Sequence, residues 1–180
     1  HRQIPSLYPE LAHGCDPELF FTHNGQVIGA EKVIPEEGLK SGCVISSIGT
    51  NYTDRDLPPT NIVLDGVQVE LNPRPYKCRA HLGDEIASIF RILRGHLREM
   101  NGVSVSFRSV VEVTPKELDS LSEKSKVLGC APSKNIHNRK ASIKVDPNTY
   151  TTRSAAGHLH FGLPHYLMEH IERLVRLCDV

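Results

Sequence analysis

The stretch NIVLDGVQVEL, residues 61–71, carries the most definite fold signal in this 180-residue chain. Apolar and polar residues alternate around Asp65-Gly66, a dipeptide that favours the tight turn of a β-hairpin. We therefore predict a strand over 61–64, a turn at Asp65-Gly66 and a second strand over 67–71. Such a hairpin indicates that an antiparallel sheet lies at the centre of the fold.

The rest of the chain supplies further strand and helix patterns. Asn24-Gly25 predicts another tight hairpin turn, because both residues accept positive φ. Thr114 and Glu117 form a capping box that predicts the start of a helix. Periodicity predicts strands at 18–21, 26–30, 103–113, 143–145 and 159–162, and helices over 79–100 and from Pro164. These elements predict one α+β domain over 1–180, with a lead-in over 1–13 and a largely antiparallel sheet that has helices packed on one face.

The composition argues against several classes of protein. Lys and Arg together number 21, as do Asp and Glu, so the chain lacks the basic excess of a nucleic-acid-binding domain. The five cysteines include no C-x-x-C pair, which favours reduced thiols over a disulfide framework or zinc knuckle. No apolar run approaches the roughly 18 to 20 residues of a membrane span. We predict a cytoplasmic protein that binds neither nucleic acid nor membrane.

Three short stretches place two polar groups on one face of a predicted strand, because residues i and i+2 of a strand point the same way. The pairs are Asp16 with Glu18, Glu70 with Asn72, and His158 with His160. If the three strands are neighbours, their shared face carries three carboxylates, which need a cation to offset their charge. Carboxylates favour Mg2+ or Mn2+, and imidazole extends the range towards Zn2+.

Each pair also has a plain structural interpretation. An isolated D-x-E motif is typical of a solvated strand face, and Glu70-Leu71-Asn72 could simply end a strand before Pro73. Two histidines in H-x-H spacing are about as often partly buried and hydrogen-bonded as metal-bound. The occurrence of all three pairs in one domain-sized chain favours the metal site. Cys15, beside Asp16, is either a nucleophile or a small buried thiol, and the second interpretation is favoured.

Four stretches in this order resemble one protein family: GCDPE (14–18), VELNPRP (69–75), LGCAPS (128–133) and TRSAAGHLHFG (152–162). They resemble the phage-encoded COOH-NH2 ligases, the amidoligases typified by phiEco32-like phages. These enzymes belong with the glutamine synthetase and glutamate–cysteine ligase superfamily. The resemblance spans residues 14–162, most of the chain.

The resemblance implies a glutamine synthetase-like catalytic fold and an ATP-dependent ligase in the host cytoplasm. In such enzymes an antiparallel sheet holds Mg2+ or Mn2+ ions on its concave face, and a substrate carboxylate takes the γ-phosphoryl group of ATP. An amine then attacks the acyl phosphate, and phosphate leaves. The expected partners are small-molecule or peptide acids and amines, and relatives in the superfamily often assemble into oligomers.

The resemblance also assigns roles to residues of this chain. The implied metal ligands are Asp16, Glu18, Glu70, His158 and His160. The implied nucleotide contacts are Asn72, Arg74, Arg153 and His160, and Asn72 is alternatively a metal contact. Arg153 is the implied catalytic residue that would stabilise charge on the transferred phosphoryl group. Because the amine must lose a proton, we also expect a carboxylate such as Asp16 to accept it.

One departure from the family keeps other functions open. Superfamily enzymes draw further acidic and arginine residues from strands after the histidine strand, whereas this sequence stops one predicted helix later, at Val180. The fold is therefore expected to be incomplete at its C-terminus: the chain is shortened, the missing groups come from elsewhere, or the domain is no longer a competent ligase. The alternatives are an inactive binding or virion-associated module with the same fold, and a metal-dependent hydrolase that uses the histidine pair.

Overall fold

The computed structural model describes residues 12–36, 38–40, 61–128, 146–162 and 165–178. Its strands are β1 (Ala12–Cys15), β2 (Glu18–His23), β3 (Gln26–Ile28), β4 (Leu39–Lys40), β5 (Asn61–Asp65), β6 (Gln68–Asn72), β7 (Val103–Ser106), β8 (Val110–Glu112), β9 (Thr152–Ser154) and β10 (Leu159–Gly162). Its α-helices are α1 (Arg79–Leu97), α2 (Pro115–Asp119), α3 (Glu123–Lys126) and α4 (Ile171–Cys178), and 3-10 helices cover Ala30–Lys32 and His165–His170. The predicted strand at 143–145 and most of LGCAPS lie outside the described residues.

Strand β2 is the centre of the main sheet. It pairs with β3, β6 and β7, and the sheet continues from β6 through β5 to β4. Two further ladders pair β1 with β10 and β8 with β9. All of these pairings are antiparallel, so the described residues confirm an α+β structure with antiparallel sheets.

The hairpin between β2 and β3 forms as predicted. Asn24 and Gly25 have φ values of 51° and 82°, the left-handed conformation that both central residues of a type I′ turn require. The turn brings His23 opposite Gln26 in the ladder. This local signal was sufficient because the turn depends on the conformational freedom of two adjacent residues.

The hairpin between β5 and β6 differs from the prediction by one residue. Asp65 pairs with Gln68, so the two loop residues are Gly66 and Val67 rather than Asp65 and Gly66. Gly66 has a φ of 62°, and a Cβ atom there would lie 2.5 Å from the carbonyl oxygen of Val127. The shift matters because it moves Asp65 from the predicted turn into the last ladder position of β5.

Helices cover both faces of the main sheet, whereas the sequence predicted one face. Leu19 and Phe21 of β2 point to one face, where they share a buried cluster with Ile89 and Leu93 of α1. Phe20 points to the other face and packs in a second cluster that contains Leu118 of α2. The full second cluster is Phe20, Val67, Val111, Val113, Leu118, Leu121 and Ala155.

Other predicted boundaries change in detail. The strand predicted over 103–113 is two strands, β7 and β8, separated by residues 107–109. The predicted helix start at Thr114 is confirmed, since its side chain accepts a hydrogen bond from the backbone N–H of Glu117 at 3.2 Å. Residues 12 and 13, predicted to belong to a lead-in, begin β1. None of the helices in the described ranges has the length and apolar content to cross a membrane.

Candidate functional site

Three carboxylates converge on the face of the main sheet opposite α1. Glu18 of β2 lies directly across the ladder from Glu70 of β6, and Asp65 lies on the neighbouring strand β5. Each offers one carboxylate oxygen, and these oxygens lie within 4.8 Å of one another. We call Glu18, Asp65 and Glu70 the carboxylate cluster.

The cluster concentrates negative charge in a partly buried position. Burial raises the pKa of Asp65, and the charges of Glu18 and Asp16 raise it further, against a smaller opposite effect of His158. Burial also raises the pKa of Glu70, where a hydrogen bond with the Asn72 side chain lowers it and neighbouring acidic groups raise it. Burial and the neighbouring acidic groups therefore both disfavour the ionised forms of Asp65 and Glu70.

The donor set fits a hard divalent cation. The Oδ2 atom of Asp65 is buried and has no hydrogen-bond partner among the described residues. Buried polar atoms without partners are rare, and each one needs a physical explanation. An ion with oxygen ligands, such as Mg2+ or Mn2+, would satisfy this atom and offset the charge of Glu18 and Glu70.

Glu18 is held in place by the segment that follows β9. Its Oε2 atom accepts a hydrogen bond from the backbone N–H of Ala156 at 2.9 Å and one from the Gln68 side chain at 3.3 Å. The same Gln68 amide donates to the carbonyl oxygen of Ser154 at 3.3 Å. Gln68 therefore orients a carboxylate of the cluster and ties β6 to this segment.

Asp16 lies between β1 and β2 and holds both predicted histidines. Its Oδ2 atom is 3.1 Å from Nε2 of His160, and its Oδ1 atom is 3.2 Å from Nδ1 of His158. The backbone N–H of His158 also donates to Oδ1 at 2.6 Å. We call these three residues the Asp16–histidine group.

This group combines an ionised carboxylate with two accessible imidazoles. Partial burial alone would raise the pKa of Asp16, but the hydrogen bonds from His160 and His158 and the charges of both rings lower it below its ordinary range. The two side chains are 57% and 62% exposed, and their ring centroids are 6.3 Å apart. The predicted side-by-side presentation of the histidine pair is therefore confirmed.

The two groups are electrostatically coupled. The charge of Asp16 raises the pKa of both Asp65 and Glu70. Strands β2 and β6 are neighbours, as the prediction required, but β10 pairs with β1 instead of joining them. The histidines approach the carboxylates because residues 154–158 run alongside Glu18 and Asp16, with Ala156 bonded to the first and His158 to the second.

The structure places the two predicted arginines elsewhere. Arg153 is 2% exposed, and its guanidinium group donates to the carbonyl oxygens of Lys126, Pro147, Tyr150 and Thr152. Arg74 is 8% exposed and pairs with Glu85 of α1, with N···O distances of 3.1 and 3.2 Å. None of these contacts involves a site carboxylate, and Nε of Arg153 is buried without a hydrogen-bond partner among the described residues. The nucleotide and catalytic roles expected of the two arginines remain predictions.

Substitution of Arg153 tests whether this residue has a structural or a catalytic role. Arg153→Ala would remove a buried side chain and its hydrogen bonds to four carbonyl oxygens, so we expect the free energy of unfolding to fall by about 3 kcal/mol. Mn2+ affinity of the folded fraction should stay within about threefold of the original value, because Arg153 touches neither group. Urea unfolding and a Mn2+ titration at low temperature measure both quantities. Unchanged stability with lost phosphoryl transfer would instead restore the catalytic role.

Sequence reasoning missed Asp65 and Gln68. Asp65 was assigned to the turn because Asp-Gly is a strong turn signal, although Gly66-Val67 also fits a two-residue loop with glycine first. That second choice places Asp65 opposite Gln68 and on the same face as Glu70. The sequence is compatible with the Gly66-Val67 turn, but adjacent residues alone do not decide between this turn and Asp65-Gly66.

Cys15 does not have the environment of an activated nucleophile. Burial raises the pKa of its thiol, and the neighbouring charge of Asp16 raises it further. A reactive cysteine needs the opposite shift, towards the thiolate. The interpretation of Cys15 as a small thiol that packs in the structure is therefore favoured over a catalytic nucleophile.

Comparisons with protein-family models, curated proteins and solved structures give no match for this chain. The resemblance to the phage amidoligases therefore depends on the short motifs themselves. Of these motifs, GCDPE, VELNPRP and TRSAAGHLHFG meet in the described structure around the carboxylate cluster and the Asp16–histidine group.

Proposed function

We propose that this protein is an ATP-dependent carboxylate–amine ligase that requires Mg2+ or Mn2+ and has a glutamine synthetase-like catalytic sheet. One observation carries the proposal: the oxygens of Glu18, Asp65 and Glu70 lie within 4.8 Å of one another on a sheet face. The Asp16–histidine group adjoins them, and every residue of the two groups except Asp65 lies in a motif that resembles those of the phage amidoligases.

Phosphoryl transfer suits such a site because it depends on positioning and charge compensation more than on covalent help from the protein. Glu18, Asp65 and Glu70 would hold the cation, and Gln68 would keep Glu18 in its ligating orientation. A bound divalent ion supplies positive charge for the phosphate oxygens. The exposed rings of His158 and His160 are accessible to a phosphate group that approaches from solvent.

The proposed reaction has two steps. An oxygen of the substrate carboxylate attacks the γ-phosphorus of ATP, the bond to the β-phosphate oxygen breaks, and ADP leaves. The amine then attacks the acyl carbon, loses a proton and expels phosphate. Because its pKa is lowered, Asp16 is a weak base, so we assign the proton to an imidazole that Asp16 orients and keep Asp16 as its partner.

The experiment uses hydroxylamine as a general amine nucleophile. The protein is incubated with ATP, Mn2+ and a panel of amino acids, dicarboxylic acids and short peptides, and phosphate and hydroxamate are measured together. We expect both products in equal amounts for at least one acid, and neither without ATP or Mn2+. Absence of ATP binding by calorimetry in the presence of Mn2+ would overturn the proposal.

A metal-dependent hydrolase is the second candidate function. The observation that favours it is the exposure of both imidazoles beside an ionised aspartate, an arrangement that can activate water. A hydrolase should cleave ester or amide substrates with Mn2+ and without ATP. The same incubation without ATP and hydroxylamine separates the two functions, and an inactive module would give no product in either case.

A further inference from the structure

A buried polar network lies between the end of β6 and α1. Glu85 of α1 is 2% exposed and accepts hydrogen bonds from Arg74 and from the Tyr76 hydroxyl, the latter at 3.1 Å. The guanidinium of Arg74 also lies 5.9 Å from the centre of the Tyr76 ring. We call Arg74, Tyr76 and Glu85 the Tyr76 network.

The network anchors a segment that supports β1. Residues 73–78 form neither strand nor helix, apart from one isolated bridge between Tyr76 and His13. In this bridge the backbone N–H of His13 donates to the carbonyl oxygen of Tyr76 at 2.8 Å. The backbone N–H of Tyr76 donates to the carbonyl oxygen of His13 at 2.9 Å. The imidazole of His13 also lies 3.2 Å from the carbonyl oxygen of Lys77. Strand β1 is therefore held by its ladder with β10 and by the bridge to the segment that carries Tyr76.

We propose that Tyr76 is a positioning residue that fixes Asp16, and with it the histidine pair, relative to the carboxylate cluster. Asp16 directly follows β1, three residues after His13, so a displacement of β1 moves Asp16 by a similar distance. Glu85 sits on α1, whose Ile89 and Leu93 belong to the main core, and this makes the helix a fixed reference. Glu18 has its own anchors on Ala156 and Gln68 and does not depend on the network.

Two backbone amides report these positions separately in the metal-free protein. The amide of His158 donates to Asp16, and the amide of Ala156 donates to Glu18. In Tyr76→Phe we expect hydrogen exchange at His158 to become at least fivefold faster, with Ala156 unchanged within twofold. NMR measures both rates in one sample. Equal acceleration at the two amides, or none at either, would overturn the proposal, because general loss of stability affects both alike.

The matched control is Ile89→Val. It removes one methylene from the same helix and lowers stability without touching the network. We expect the exchange rates of His158 and Ala156 to change together in this variant. If Tyr76→Phe behaves in the same way as Ile89→Val, Tyr76 has only a general stabilising role.

The consequence for activity depends on the proposed function, and a second measurement separates the two ideas. With Mn2+ as the probe, Tyr76→Phe should bind three- to tenfold more weakly, whereas Ile89→Val should bind as the unchanged protein does. Selective exchange at His158 in a protein that binds no Mn2+ would support the positioning role and refute the proposed ligase. Unchanged exchange at His158 refutes the positioning role, whatever the Mn2+ result.

Discussion

Glu18→Gln is expected to lower Mn2+ affinity and ATP-dependent phosphate release by at least about 100-fold, while the protein remains folded. The amide has nearly the same shape as the carboxylate, and its oxygen can still accept the hydrogen bond from Ala156. What it removes is one negative charge directly across the ladder from Glu70. Calorimetric Mn2+ titration and the hydroxamate assay measure the two losses.

The control for this variant is Glu99→Gln, which makes the same change of charge at an exposed position just after α1. It should leave both Mn2+ affinity and phosphate release within about twofold. His160→Ala is expected to retain Mn2+ binding better than Glu18→Gln, because its ring is bound to Asp16 and not to the cluster. Full activity in either Glu18→Gln or His160→Ala contradicts the proposed site.

Asp65→Asn is expected to have opposite effects on binding and stability. It should lower Mn2+ affinity by about 100-fold, because it removes the charge of a cluster oxygen that has no hydrogen-bond partner in the described part of the chain. It should also raise the thermal midpoint of the metal-free protein at neutral pH by roughly 2–5 °C, because it relieves repulsion among the cluster carboxylates. Scanning calorimetry in chelator and a Mn2+ titration test the two effects.

The stabilisation by Asp65→Asn should depend on pH. The folded-state pKa of Asp65 is raised. Between the unfolded and the folded pKa, the native protein therefore holds a proton that the unfolded chain has already lost. Unfolding therefore becomes easier as pH rises from the ordinary carboxyl pKa of about 4 through the folded pKa. The neutral asparagine escapes this loss, so its advantage should vanish below about pH 4 and be complete above the folded pKa.

Asp84→Asn is the control for the stability experiment, since Asp84 is exposed on α1 and outside the cluster. It should not raise the thermal midpoint at neutral pH, nor should it weaken Mn2+ binding. A lower midpoint for Asp65→Asn than for the unchanged protein in chelator would show that Asp65 is stabilising. That result would remove the argument for an uncompensated charge in the cluster.

Features that depend on adjacent residues could be predicted from the sequence. The Asn24-Gly25 turn formed because two neighbours accept positive φ, and Thr114 capped α2 because its hydroxyl reaches an amide three residues away. In each case the deciding atoms lie within a few positions along the chain, so local chemistry is sufficient.

The tertiary structure decided where the polar side chains found their partners. The choice of Gly66-Val67 as the turn placed Asp65 in the ladder, and packing of Gly66 against Val127 accompanies that choice. A buried guanidinium group forms hydrogen bonds with the acceptors that surround it. These acceptors are the carboxylate of Glu85 for Arg74 and four carbonyl oxygens for Arg153. Local residue patterns do not determine which acceptor a buried guanidinium group meets, even when that acceptor is only a few residues away, as Tyr150 is from Arg153. The sequence therefore determined which groups could form a metal site, and the long-range packing determined which of them actually meet.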